Sequence, residues 1–156
     1  MTTAWQKLKK GLTECWNSGR GWFLRVDSLS PTDPHNPLIL GRRGERAAFI
    51  FLQHLGYMIV SRNFRTVHGE IDLVAWDRDI LCFVEVKTRA TTDHGRPEEA
   101  VTAFKQRQIL KTSLDYLRQG NLHPVNIRFD IVSVQFSSDG TPACQLTARA
   151  FGPGMN

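Results

Sequence analysis

Apolar residues recur along this chain in two rhythms, and the change from one to the other divides it into elements. From Gly41 to Leu55 they return every three or four positions, with Ala48, Phe49 and Leu52 on one stripe, so the spacing predicts a helix. Gly56 follows directly and suits the left-handed backbone that closes a helix. Tyr57–Phe64 reads as a strand. Glu70–Trp76 and Ile80–Thr88 then flank the polar Asp77-Arg78-Asp79 as a β-hairpin. A polar stretch leads to Pro97, where proline followed by Glu98 and Glu99 marks a second helix running to Gln119. Its inward positions are expected at Ala103, Leu110, Leu114 and Leu117, with Gly120 as its stop. Asn126–Phe136 is a strand, SSDG a turn and Cys144–Ala150 a short last strand. The order is αβββαβ(β). The long helix before the fourth strand permits a parallel crossover, giving an α/β fold with a central mixed β-sheet and flanking helices.

The hairpin is where the apolar pattern breaks. If Asp77 and Ile80 flank a two-residue turn, opposed residues share one sum. Asp72 then faces Glu85, Glu70 faces Lys87, Val74 faces Phe83 and Trp76 faces Leu81. The other side pairs Ile71 with Val86, Leu73 with Val84 and Ala75 with Cys82, and is wholly apolar. Like charges opposed on a sheet destabilise it by something within about 0.2–1 kcal/mol. A divalent cation between Asp72 and Glu85 would reverse the sign. Mg²⁺ (or Mn²⁺) suits the place, because such ions take oxygen ligands and are held by one or two carboxylates plus waters and phosphate. Lys87 stands on the same face as Glu85. That combination fits phosphodiester hydrolysis, in which a metal activates water and offsets charge on the phosphorane oxygens. A plainer reading has Glu70 and Lys87 in a salt bridge, Asp72 and Glu85 at a solvated strand end, and no metal. Glu45 lies on or beside the first helix's stripe, where it either adds a carboxylate to the site or serves the helix dipole.

At 156 residues, 41% hydrophobic and 22% charged, the chain has room for one domain and an extension. The expected division is an extension at 1–37, a domain at 38–151 and a tail at 152–156. In the extension, Trp5, Leu8, Leu12 and Trp16 make a helical stripe ahead of a linker, SLSPTDPHNP, and the segment is a candidate to dock on a protein or membrane surface. A net charge of +5 favours an anionic partner. Arg42 and Arg43 near the first helix, and Lys105, Gln106 and Lys111 on the second, are placed to meet backbone phosphates, although a charged outer face is usual for any surface helix. Nothing here reads bases, so recognition by structure is expected over recognition by sequence. Cys15, Cys82 and Cys144 lack zinc-site spacing, no apolar run is long enough to span a bilayer, and no signal peptide is evident. A cytoplasmic location is the expectation.

Six separated motifs occur in order: Gly44-Glu45, RNFR at 62–65, GEIDLVAWD at 69–77, FVEVKTR at 83–89, PEEAV at 97–101 and RFDIV at 128–132. Together they resemble the YraN family of small bacterial proteins over about Gly41 to Val134. That family is similar to the PD-(D/E)xK nuclease superfamily, including Holliday junction resolvases, with its restriction-endonuclease-like (tRNA-endonuclease-like) fold. The resemblance implies that Asp72 is the motif aspartate, Glu85 and Lys87 the E-x-K pair, and Glu45 an extra acid. Lys105 or Gln106 would support the site from the second helix. Ile71 stands where the superfamily's nominal proline would be. The reading this implies is a metal-dependent endonuclease in which Asp72, Glu85, the Val86 carbonyl and Glu45 hold the metal and Lys87 assists the water. Nucleic acid is the expected partner, DNA ahead of RNA, and a homodimer is a further expectation. A nucleic-acid-binding module without hydrolysis, or an adaptor recruited through residues 1–37, are the alternatives.

Overall fold

The computed structural model describes residues 36–89 and 101–153. The expected N-terminal helix, nearly all of its linker, the helix start at Pro97 and the tail beyond residue 153 lie outside the described residues. Among the described residues, seven elements occur in the expected order: α1 (Pro37–His54), β1 (Met58–Thr66), β2 (Gly69–Asp77), β3 (Ile80–Arg89), α2 (Ala103–Gln119), β4 (Asn126–Phe136) and β5 (Pro142–Phe151). The strands form one sheet in the order β1-β2-β3-β4-β5. β3 and β4 are parallel and joined through α2, while the other neighbours are antiparallel. Among the described residues, no helix is long and apolar enough to cross a membrane.

Both helices begin differently from the sequence expectation. α1 starts four residues before Gly41, because Asn36 accepts a hydrogen bond from Leu38 N at 3.0 Å and Pro37 takes the first position. The Asn-Pro pair that resembled the end of a linker is a helix cap. α1 ends as expected, with Gly56 at φ +88°. α2 starts at Ala103 behind Thr102, whose extended backbone and hydroxyl, accepting from Lys105 N at 3.3 Å, make it the cap. The inner face of α2 is also rotated from the expected stripe. Ile109, Thr112 and Ser113 are buried, Leu110 and Leu117 half-buried, and Ala103 and Leu114 exposed. Thr112 and Ser113 donate to the carbonyls of Gln108 and Leu110 at 2.9 and 2.8 Å, so neither brings an unpaired donor into the core.

Alternate strand positions feed two cores. Leu73, Ala75, Cys82, Val84, Val132 and Val134 pack with Ala48 and Leu52 of α1. Val74, Leu81, Phe83, Phe129, Ile131 and Phe151 pack with Ile109 of α2. Phe83, Phe129 and Phe151 stack across three strands at centroid spacings of 5.5 and 5.4 Å, so aromatic burial ties β3 to β5.

A buried charge network closes the sheet at the hairpin's turn end. Arg128 donates through Nε to both oxygens of the fully buried Asp130 at 2.8 and 3.0 Å, contacts Asp77 at 3.0 Å and donates to Tyr57 Oη at 2.5 Å. Burial works against the Arg128 charge, but the hydrogen bonds and charge of Asp130 outweigh it and hold the guanidinium above its usual range. Burial and the Asp130 charge push the Tyr57 hydroxyl up to about 12, so it remains a neutral partner.

Candidate functional site

At the opposite end of the hairpin the two strands part. The turn sets the expected register from Asp77↔Ile80 as far as Leu73↔Val84, where the ladder ends. Beyond it, Asp72 is not paired with Glu85 through the backbone. Its carboxylate accepts the Val86 N–H at 2.7 Å instead. The alternation breaks at the same point, because Ile71 packs in the core under α2 together with Val74, not beside Leu73 and Val86. A side chain standing in for a ladder carbonyl thus turns Asp72 to the strand end, where it meets Glu85.

Glu85 lies on the central strand in register with Ile131 and is 3% exposed. A carboxylate so buried needs partners, and two lysines supply charge. Lys87 Nζ lies 2.8 Å from Oε1, and Lys105 Nζ reaches across from α2 to within 3.4 Å of Oε2. The Lys105 contact is ionic without hydrogen-bond geometry, which leaves Oε2 buried and without a hydrogen-bond partner. The plainer pairing of Glu70 with Lys87 does not form; Glu70 pairs with Arg65 at 3.0 Å on the surface.

Asp72 feels both its burial and the neighbouring acid. Burial first, and the Glu85 charge next, raise its carboxyl from 3.8 to about 7, against the lowering effects of the Val86 N–H and Lys105. Glu45 adds a further small push upward. Its position depends on Gly44, whose added Cβ would stand 1.7 Å from Thr88 Oγ1. Only a glycine lets α1 settle so closely on the end of β3, and that approach brings the half-buried Glu45 toward the pair.

The donor set suits a hard cation. Two carboxylates in mutual repulsion, one with an unpaired buried oxygen, match an ion that completes its shell with water and phosphate. Among the described residues, no group of three or more His, Cys, Asp or Glu gathers into a cage, so Glu45 acts on Asp72 as a nearby charge. Val86 enters the site through its N–H.

Of the five expected phosphate contacts, Lys105 is the one that reaches the acids. Gln106 donates to Val101 O at 3.0 Å and ties down the start of α2. Arg43 lies 4.5 Å from the Phe136 ring centroid and donates to Gly140 O at 3.3 Å. Arg42 and Lys111 are exposed on their helices. A shallow cleft of about 430 Å³ lined by Arg65, Thr66, Gly69, Glu70, Lys105 and Gln108 opens beside the site. A larger one of about 500 Å³ lies by Arg128 and Arg149, at the far end of the sheet from these acids.

Sequence reasoning missed Ser133, whose hydroxyl is buried without a hydrogen-bond partner and which is in parallel register with Lys87. Its one sequence signal is a hydroxyl in the apolar run Ile131-Val132-Ser133-Val134.

Comparison with known proteins covers this same region. The model of a family described as "Uncharacterised protein family UPF0102" matches residues 44–134. A UPF0102 protein of Geobacter sulfurreducens is 46% identical over 117 residues, covering 75% of this chain and 91% of the relative. One of Symbiobacterium thermophilum is 46% identical over 112 residues, covering 72% and 95%. Another, of Rhodococcus opacus, is 41% identical over 117 residues, covering 75% and 98%. The matched span contains Glu45, Asp72, Glu85, Lys87, Lys105 and Ser133 and begins after Arg42 and Arg43.

Proposed function

The chain belongs to the uncharacterised protein family UPF0102, and from the site within the matched span we propose a metal-dependent endonuclease acting on the nucleic-acid backbone. The observation that carries this reading is the buried Glu85 carboxylate, with one unpaired oxygen, beside an Asp72 whose carboxyl is raised to about 7. Two acids so placed repel each other, and a divalent ion shared between them would offset that cost. The strand order and the flanking helices support a restriction-endonuclease-like fold for the same chain.

In this reading Asp72 and Glu85, with the Val86 carbonyl, hold Mg²⁺ or Mn²⁺, and Glu45 contributes through water. A bound ion supplies Lewis-acid stabilisation of charge developing on the phosphoryl oxygens. Val86 N–H fixes the orientation of Asp72. Lys87 orients the attacking water or neutralises negative charge beside Glu85, and Lys105, released from Glu85, turns to a phosphate from the adjoining cleft. Arg42, Arg43 and Lys111 extend the basic surface. DNA is the favoured substrate, read by shape, and a second copy of the chain and a cytoplasmic setting complete the proposal.

A second reading, a nucleic-acid-binding module without hydrolysis, draws on one observation. Lys87 and Lys105 already place two positive charges on Glu85, so the pocket has internal counter-ions. A panel of branched, single-stranded and duplex substrates in Mg²⁺ and Mn²⁺ separates the two. The endonuclease reading expects cleavage by wild type and its loss in Glu85→Ala. Equal cleavage by both proteins would defeat it, while salt-dependent binding without cleavage would select the module.

A further inference from the structure

Among the described residues, the buried side-chain polar atoms without a hydrogen-bond partner are Glu85 Oε2 and Ser133 Oγ. They are not scattered. Glu85 is in register with Ile131 and Lys87 with Ser133, so the two atoms lie on adjacent parallel strands, on the face under α2 and at the same end of the sheet. Lys87 is linked to both: its ammonium is bonded to Glu85 at 2.8 Å, and its backbone is in register with Ser133 on the next strand. Gln145, the partner of Ser133 on β5, is exposed. A hydroxyl kept unpaired in an apolar strand is disfavoured unless something else engages it.

We propose that Ser133 is a positioning residue of this site: its hydroxyl receives the Lys87 ammonium when the Glu85 carboxylate turns to a divalent cation. The inference rests on the metal-dependent reading above. An ammonium has three donors and no acceptor capacity, and Lys87 spends one donor on Glu85 Oε1. A cation competing for that carboxylate leaves the lysine in need of another oxygen. Neighbouring strands lie about 4.8 Å apart, so the Ser133 hydroxyl is within reach of a swing of the lysine side chain. Ser133 then keeps Lys87 beside the reacting phosphate and prevents it from returning to Glu85.

The test uses the full chain as wild type, Ser133→Ala and Ser133→Thr, the last retaining a hydroxyl. Without metal, Ser133→Ala should have an unchanged or higher thermal midpoint, because it removes an unpaired hydroxyl. With Mg²⁺ added, the ¹⁵N-labelled Lys87 ammonium signal should stay sharp in wild type and Ser133→Thr and broaden by exchange with water in Ser133→Ala. Mg²⁺ binding, followed by calorimetry, should weaken by about tenfold in Ser133→Ala and recover in Ser133→Thr. A lowered midpoint of metal-free Ser133→Ala would overturn the inference, since the hydroxyl would then already have a partner such as water. So would a sharp Lys87 signal or unchanged Mg²⁺ binding in that variant. Absence of Mg²⁺ binding by wild type would overturn the metal-dependent reading, and this inference with it.

Discussion

Replacing Asp72 with asparagine should stabilise the metal-free protein above pH 7 and remove its response to Mg²⁺. The wild-type carboxyl is raised from 3.8 to about 7, by burial and then by the Glu85 charge, so the folded state holds this proton more tightly than the unfolded chain. The stability it contributes is fully present below the unfolded value of 3.8 and is lost as pH rises through about 7. For a fully shielded group that rise corresponds to about 4 kcal/mol. Asp72 is half-buried, and screening by solvent reduces the figure to roughly 2 kcal/mol. Asparagine keeps an oxygen for the Val86 N–H but carries no charge to oppose Glu85. Urea unfolding in a chelator should show the variant more stable by roughly 2 kcal/mol at pH 8, with the difference vanishing toward pH 4. Saturating Mg²⁺ at pH 8 should stabilise wild type and leave the variant unchanged. A variant no more stable than wild type at pH 8, or one gaining as much from Mg²⁺, would refute the like-charge argument.

Three other substitutions probe the parts around that pair. Lys105→Met removes the charge facing Glu85 Oε2 but leaves Lys87, so it should cost about 1–3 kcal/mol in urea unfolding; no loss would mean that the 3.4 Å contact carries nothing. Gly44→Ala drives a methyl group into Thr88 and should cost about 1–3 kcal/mol, with partial recovery in Gly44→Ala/Thr88→Ala; an unchanged thermal midpoint would contradict the close seating of α1. Arg128→Met leaves the fully buried Asp130 without its ionic partner and should cost about 3–5 kcal/mol, seen as a lower thermal midpoint by circular dichroism; a loss under about 1 kcal/mol would count against the network.

Local rules made the hairpin legible. Asp77 and Ile80 set the register, and every pair down to Leu73↔Val84 follows from that one turn. The arithmetic failed where a side chain replaced a backbone acceptor, at Asp72, and at the same point Ile71 packs in the other core. Strand alternation alone carries no sign of that exchange. Asp72, Glu85 and Lys87 stood out in sequence because charge interrupts an otherwise apolar hairpin, whereas Glu45 was open between the site and the helix dipole on spacing and joined them through the family resemblance. Thr112 and Ser113 were hidden because their hydroxyls are satisfied by their own helix and so behave as core residues. Ser133 was hidden for a different reason. Its proximity to Lys87 is set by the parallel crossover from β3 to β4, and no turn fixes that register locally. The same long-range pairing brings Arg128 to Asp77, residues whose charges look unrelated along the chain.

Diffraction from crystals soaked in Mn²⁺, read by its anomalous signal, tests most directly whether Asp72 and Glu85 grip one ion. A peak between the two carboxylates, with Lys105 Nζ drawn away from Glu85 Oε2, is the predicted result. Both lysines still closed on Glu85, with no peak beside Asp72, would contradict it.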